Sequence, residues 1–594
     1  MNAEPRHLDP APPASRALRI LLLCHSFNSL SQRLYVELTA LGHVLSVELD
    51  IADAVTEEAI ALFRPDLVLA PFLKRRIPES VWRVVPCFVV HPGPPGDRGP
   101  AALDWAILEG RREWGVTVLQ ADGDFDAGPV WAHATFPLRA ASKGAIYRRE
   151  VTEAALAATL QAIARFAVGD LPRQHSAHAD GWRGVLPQSR RAIDWSRDDS
   201  ATVLAKIRAS DGQPGVADAL FGRLCRLFDA HPASAAALAG LGGAPGAVLA
   251  QRDGALLRRT VDGGIWIGRV SVVLGDAASP IKLPATQAFA AEAATLPERA
   301  VPLTRAADEW GELRYTEHGE AGARVGVLSF DFCNGAMSTA QCLRLRDALV
   351  EVKQRDTQLL LIAGGDGFFS NGIDLNGIEA AAHRDGDSAA DESWRNINAM
   401  NDVALEIITA TDRLTVSLLR GNAGAGGAFL ALAADEVWAQ RGVMLNPHYK
   451  NMGNLYGSEY WTYLAPRRLG ADGARALMQR RLPLSAPEAL RIGFIDRCLD
   501  APAGEALDAA LREARLRAAS YNLRDRVLRK QTERSAHEAE RPLADYRQEE
   551  LSRMHRNFYG FDPSYHVARH HFVHKLPHAW TPRHLAVHRE VGTR

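Results

Sequence analysis

The stretch HPGPPGDRGPAALDWAILEGRREWGVTVLQADGDFDAG, His91–Gly128, decides how the first half of this chain is read. It opens on a histidine at the carboxyl end of a short apolar strand, Cys87–Val90. A loop stiffened by prolines follows, then a helix over Ala101–Glu109, the strand Val116–Leu119 and a polar loop carrying Asp126. Outward from it lie further apolar strands at Leu18–Cys24, Val44–Leu49, Leu67–Ala70 and Val130–Phe136, and a helix over Gly144–Val168. Strands alternating with helices predict an α/β fold with a doubly wound, parallel sheet. In such sheets ligands bind beyond the carboxyl ends of the strands, where His91 sits. A carboxylate facing an imidazole orients the ring and raises its basicity, so His91 and Asp126 form a candidate proton-transfer pair.

One histidine at a strand end is ordinarily structural. The segment around this one changes that reading, because it resembles the catalytic stretch of the folate-dependent formyltransferases. RAIDWS (Arg191–Ser196) and IRASDGQPG (Ile207–Gly215) are similar to the linker and barrel start of the family's transfer RNA enzymes. The resemblance implies N10-formyltetrahydrofolate as formyl donor, with His91 and Asp126 at the family's histidine and aspartate positions. Two departures matter. Where the family has an asparagine that stabilises the oxyanion, this chain has Val89, and removing one such donor typically costs about 2.7–4 kcal/mol. Either another donor replaces it, with Asn28 in the first crevice loop as a candidate, or the chemistry differs. The loop after His91 is also one residue shorter, so an acceptor other than the family's usual one is expected.

From about Trp195 short β-like runs (Gly246–Leu249, Ala255–Arg259, Gly264–Val273) predict a small β-barrel-like subdomain. A second α/β pattern starts at Val325–Phe330 and continues with a helix over Thr339–Gln354 and strands at Leu359–Ala363 and Leu414–Leu419. Two glycine-rich turns leave its buried strands: GFFSNGIDLN (Gly367–Asn376) and GNAGAGGAF (Gly421–Phe429), the second running into a helix at Ala428–Ala434. Glycines let backbone N–H groups approach a ligand closely, and two N–H groups aimed at one oxygen make an oxyanion hole.

These turns resemble the crotonase (enoyl-CoA hydratase/isomerase) family, over residues from about 312 to 580. That resemblance implies coenzyme A, with a thioester oxygen held by the N–H groups of Ile373 and Gly426. FVHKLP (Phe572–Pro577) resembles the family's C-terminal helix and would place Lys575 at the nucleotide end of coenzyme A. Phe429 and His448 stand where hydratases carry two glutamates, and phenylalanine cannot move a proton, so hydration by that route is excluded. The nearby run NPHYKNMGNLYGSEYW (Asn446–Trp461) offers Tyr449, Tyr456 and Glu459. Tyr449 and Glu459 are the expected working pair.

A formal net charge of -1 and a pI near 7.1 give no basic field for nucleic acid. The six cysteines are scattered, without metal-ligand spacing, and read as reduced core thiols. No leader-like segment and no apolar run of bilayer length is seen, so a cytoplasmic enzyme is expected. The chain divides into a disordered tail (1–17), a formyltransferase-like domain (18–195), a β-barrel-like subdomain (196–300), a linker (301–311), a crotonase-like core (312–515) and a helical C-terminal segment (516–594). Both halves on one chain resemble a family of nickel–iron hydrogenase maturation factors. The resemblance implies formyl transfer to coenzyme A, decarbonylation of formyl-CoA to carbon monoxide for the hydrogenase iron, and hydrogenase maturation proteins as partners. Two alternatives stay open: a formyltetrahydrofolate hydrolase or transferase with a CoA-sensing module, and a non-catalytic assembly scaffold.

Overall fold

The structure is a computed structural model that describes residues 16–173, 181–275, 277, 279–502 and 504–590. The tail expected over 1–17 therefore lies outside the described residues, except for Arg16 and Ala17; Arg16 donates to Asp66 at 2.9 Å.

Six strands build the first sheet: β1 (Arg19–Cys24), β2 (Val44–Leu49), β3 (Leu67–Phe72), β4 (Cys87–His91), β5 (Glu113–Gln120) and β6 (Val130–Pro137). Their spatial order is β2-β1-β3-β4-β5-β6. The first four run parallel, but β5 and β6 are antiparallel to their neighbours. This corrects the all-parallel expectation. The loop 121–129 is too short for a parallel crossover, which takes a dozen or more residues. The expected helix over Gly144–Val168 contains a wide π turn, Tyr147–Val151, before the regular helix Thr152–Ala167 begins. Such turns are often found at functional sites.

A middle module is one antiparallel sheet of six strands. Its central strand, Gly264–Val272, pairs with Arg223–Pro232 on one edge and with Ala255–Arg259 and Ile281–Pro284 on the other. The third module has a six-stranded sheet whose strands are parallel after one antiparallel pair at its edge. Beside it a four-stranded layer pairs Phe368–Ser370 with Asn422–Gly424, and that strand with Met444–Asn446. This small layer sets the two glycine-rich turns and the Tyr449–Glu459 segment next to one another.

The border drawn at 515/516 falls inside a helix, Ala506–Ala518. Three more helices follow, Leu523–Glu540, Leu543–Tyr559 and Ser564–His574. The helical reading of the C-terminal segment then fails. Lys575 takes a left-handed φ of 52°, Pro577 and Pro582 follow, and the chain runs back to the first module. There Leu585 accepts from the Val47 N–H at 2.9 Å, and Thr581 Oγ1 accepts from the Leu49 N–H at 2.8 Å. The fully buried Glu48 carboxylate receives His588 at 3.0 Å and Arg589 at 2.8 Å. Among the described residues no helix is long and apolar enough to cross a membrane.

Burial alone would raise the Glu48 pKa, but bonds from His588, Thr581 and Arg589 hold it below the ordinary carboxylate value. A carboxyl with a depressed folded pKa stabilises the fold above its unfolded pKa and loses that contribution as pH falls through the folded one. Glu48→Ala leaves the buried His588 ring and Thr581 hydroxyl without their acceptor, while Arg589 keeps Glu58, which should cost about 1–3 kcal/mol. The expected reading is a lower urea midpoint at neutral pH and rapid tryptic cleavage after Arg583; an unchanged midpoint contradicts it.

Candidate functional site

His91 ends β4 and is 3% exposed. It lies between two carboxylates. Its Nε2 is 2.9 Å from Asp97 Oδ2 and its Nδ1 is 3.5 Å from Asp126 Oδ2. Asp97 is fixed from behind by Arg183 at 3.1 Å, and Asp126 accepts from the Gly99 N–H at 3.0 Å. Gly93 makes this possible: a Cβ there would lie 2.4 Å from the Asp97 carboxylate and 2.5 Å from His91 Nε2. Asp97 thus locks the ring, and Nδ1 faces Asp126. Asn28 caps the helix Ser29–Ala40 through Oδ1, leaving its Nδ2 3.5 Å from the Tyr147 hydroxyl.

A cavity of about 1280 Å³ runs between the first and third modules. Asn28, Val89, His91 and Asp126 line one side; Asn371, Asn422 and Asn446 line the other. This exceeds the roughly 300–1,000 Å³ of a typical single-ligand pocket. Arg148, projected by the π turn, reaches into the cavity with its guanidinium 4.7 Å from the centre of the Phe368 ring. Its Nε is buried without a hydrogen-bond partner.

Behind the asparagines the second cluster is buried. Tyr449 donates to Glu459 Oε2 at 2.5 Å and lies 3.1 Å from the Ser458 carbonyl. Its ring stacks on Phe429 with centroids 5.3 Å apart. Glu459 presses on the second glycine-rich turn, since a Cβ on Gly426 would lie 2.6 Å from Glu459 Oε1. Gly372 lies alongside, its constructed Cβ 3.4 Å from the Gly426 nitrogen, so Ile373 and Gly426 belong to adjacent segments. Ala425, Glu459 and Tyr460 hold φ of 46°, 60° and 58°. Left-handed backbone at non-glycine residues stores strain of the kind found at active sites.

Burial pushes the Glu459 carboxyl up to about 7, against the opposing hydrogen bonds from Tyr449 and the backbone. Burial, and then the nearby Glu459 charge, pushes the Tyr449 hydroxyl far above its ordinary value, so it stays a proton donor. His448 is lowered to about 4 by burial and by His584 and Arg481, and neither ring nitrogen has a hydrogen-bond partner.

The enoyl-CoA hydratase/isomerase family profile matches residues 327–583. Those of the formyl transferase and the formyl transferase C-terminal domain match 48–163 and 186–279. The hydrogenase maturation factor HoxX of Bradyrhizobium diazoefficiens is 56% identical over 577 residues, covering 96% of this chain and 97% of that protein. The chain belongs to the HoxX/HypX family of hydrogenase maturation factors. The crystal structure of HypX from Aquifex aeolicus in complex with tetrahydrofolic acid is 44% identical, with a TM-score of 0.91 over 97% of this chain and 100% of that one. A methionyl-tRNA formyltransferase from Desulfotalea psychrophila is 31% identical over 207 residues, 34% of this chain and 62% of that protein.

In this HoxX/HypX chain, four expected residues, Tyr449, Glu459, Ile373 and Gly426, do not line the cavity themselves; Asn371, Ala423 and Asn446 do. Tyr456 lines a separate cavity of about 540 Å³ with Trp461 and Arg553. Lys575 stands at the surface, where partial burial and repulsion from Lys282 and Lys74 lower its pKa, so three lysines from three modules share one region. Sequence reading missed Asp97, Arg148 and Gln32, whose Oε1 accepts from Asn446 Nδ2 across the seam at 2.9 Å. It also missed Glu550, which accepts from the Tyr460 and Thr462 N–H groups at 3.0 and 2.8 Å and is pushed to about 8 by burial.

Three glutamate carboxyls are therefore expected to titrate well above the ordinary range, because burial also raises Glu312, in the third module's edge region, to about 7. Carbonyl spectra of glutamate-labelled Glu312→Gln protein should contain one step near pH 7, removed by adding Glu459→Gln, and one near pH 8, removed by adding Glu550→Gln. If every glutamate titrates in the ordinary carboxylate range, the electrostatic description of this pocket is wrong.

Proposed function

We propose that this chain transfers the formyl group of N10-formyltetrahydrofolate to coenzyme A and splits formyl-CoA into carbon monoxide and the thiol, supplying the carbon monoxide ligand of the hydrogenase iron. The observation that carries this reading is the single cavity lined by His91 and Asp126 from one module and by Asn371, Asn422 and Asn446 from the other. The tetrahydrofolic acid complex of the Aquifex aeolicus HypX supports a pterin donor. Buried polar atoms without partners, Arg148 Nε near the seam and Asn401 Nδ2 near Glu459, fit a polar ligand that spans both sites. Lys74, Lys282 and Lys575 supply positive charge for the phosphates of coenzyme A.

At the first site His91, held by Asp97 and Asp126, takes the thiol proton as sulfur attacks the formyl carbon. The bond from that carbon to N10 breaks, and His91 returns the proton to the nitrogen. Val89 offers no donor to the oxyanion, and Asn28 Nδ2 takes that role. At the second site the N–H groups of Ile373 and Gly426 hold the formyl oxygen. A formyl thioester has no α-carbon, so neither enolate chemistry nor hydration is open to it. Glu459 removes the formyl proton, the C–S bond breaks with its electron pair on sulfur, and carbon monoxide leaves. Tyr449 and Glu459 then pass the proton to the thiolate. The wall of Phe429 and Tyr449 keeps water out, which favours loss of carbon monoxide over hydrolysis.

Purified protein given formyltetrahydrofolate and coenzyme A should release carbon monoxide, measured by haem binding. Glu459→Gln and Tyr449→Phe should each reduce release by about 10²–10⁴-fold while folate deformylation persists; His91→Ala should lose both. Formate without carbon monoxide contradicts the decarbonylation, and formate output indifferent to Glu459 favours the CoA-sensing alternative. Because the ionised carboxylate is the base, release from supplied formyl-CoA should rise with pH through about 7 and fall about tenfold per pH unit well below it. A profile flat across this range contradicts the role of Glu459.

A further inference from the structure

The C-terminal helix Ser564–His574 sends two histidines one turn apart to a single carboxylate oxygen. Glu379 Oε1 lies 2.9 Å from His570 Nδ1 and 3.0 Å from His574 Nε2, and the three atoms are all within 4.8 Å of one another. Glu379 is buried on the helix Leu375–Ala381, which begins directly after Ile373 and Asp374. Its other oxygen, Oε2, accepts from Arg569 Nε at 2.7 Å, which leaves Oε1 alone for the histidines. On the far side of the His574 ring, Nδ1 is 2.5 Å from Ser279 Oγ of the middle module. His570 is half exposed, which keeps the fourth direction open to solvent.

This arrangement meets the demands of a metal centre. Histidines four residues apart on a helix face the same way and are a recurrent ligand pair. Zinc bonds of about 2.0–2.1 Å in tetrahedral geometry set ligand atoms about 3.3 Å apart, so outward shifts of a few tenths of an ångström open the needed space. The Ser279 hydroxyl can donate to Nδ1 while Nε2–H faces Glu379 and, with an ion bound, accept from Nδ1–H so that the Nε2 lone pair faces the metal, the outer-shell bond that metal-binding histidines ordinarily have. None of the three residues lines the large cavity.

We infer that Glu379, His570 and His574 bind one divalent transition-metal ion, zinc by its match to two imidazoles and a carboxylate. Without the ion the two rings donate N–H groups to the carboxylate; with it, their lone pairs and Oε1 turn to the metal. The ion staples the C-terminal helix to the segment that follows Ile373 and, through Ser279, to the middle sheet. It sits one residue before Lys575 and steadies that lysine from outside the reaction.

The test uses the full chain stripped with a strong chelator, then titrated with zinc against a chromophoric competitor and, separately, with cobalt(II). One equivalent should bind tightly, the cobalt form should absorb strongly in the visible as four-coordinate cobalt does, and zinc should raise the melting temperature. His570→Ala, exposed and safe for folding, should weaken binding by at least about tenfold, and Ser279→Ala by about 10–100-fold. The His570→Ala/His574→Ala double variant should lose the site and the thermal shift. Failure to take up one equivalent overturns the inference. So does equal binding by the double variant, which would assign the metal to others of the chain's 20 histidines.

Discussion

The seam between the first and third modules is the constraint on which the rest depends. Asp366, at the start of the first glycine-rich turn, sits between Arg149 at 3.2 Å and Arg420 at 2.6 Å. Arg149 comes from the π turn that also delivers Arg148 to the cavity. The amide pair Gln32–Asn446 crosses the same seam deeper in, and the C-terminal strap closes it from outside by burying His588 and Arg589 against Glu48. A half-exposed ion pair contributes little by itself. Several together, with a buried carboxylate at one end, fix two enzyme folds against each other. The cavity exists because that register is fixed.

The chemistry proposed for the chain follows from the contrast between this space and the buried cluster behind its far wall. His91 lies between two carboxylates beside a wide, polar volume, suited to a reaction in which charged carriers meet. Glu459 and Tyr449 lie behind a wall of asparagines in an apolar shell with strained backbone, where a carboxyl near 7 serves equally as acid or base. On the resemblance to hydratases, Phe429 and His448 would replace two glutamates, and the pocket proposed here does not need them. Phe429 in particular becomes the ring on which Tyr449 rests.

Much of this was legible in the chain. Buried strands announce themselves as apolar runs, and β1 to β4 stand where those runs predict. The glycine-rich turns were readable because close backbone approach demands glycine. Tyr449 and Glu459 drew attention as polar groups crowded into a short segment, and they do meet. Asp97 was not legible, since nothing local separates it from any other loop aspartate; its importance comes from Gly93, which lets the loop fold back over His91. Gln32 and Asn446 are 414 residues apart, and no local pattern pairs them. The strap was misread as helix although Pro577 and Pro582 already forbade it. The loop 121–129 is short enough to set β6 antiparallel to β5, but the long helix-bearing connection 92–112 leaves the direction of β5 against β4 open to either sense.

Shared enclosure is the central claim: the formyl carbon goes from folate to carbon monoxide without leaving the protein. Hydroxylamine in the medium, which captures free formyl-CoA as a hydroxamate, tests this directly during turnover with carbon-13-labelled formyltetrahydrofolate. The account predicts undiminished labelled carbon monoxide and no labelled hydroxamate. Labelled hydroxamate accumulating at the expense of carbon monoxide would contradict it.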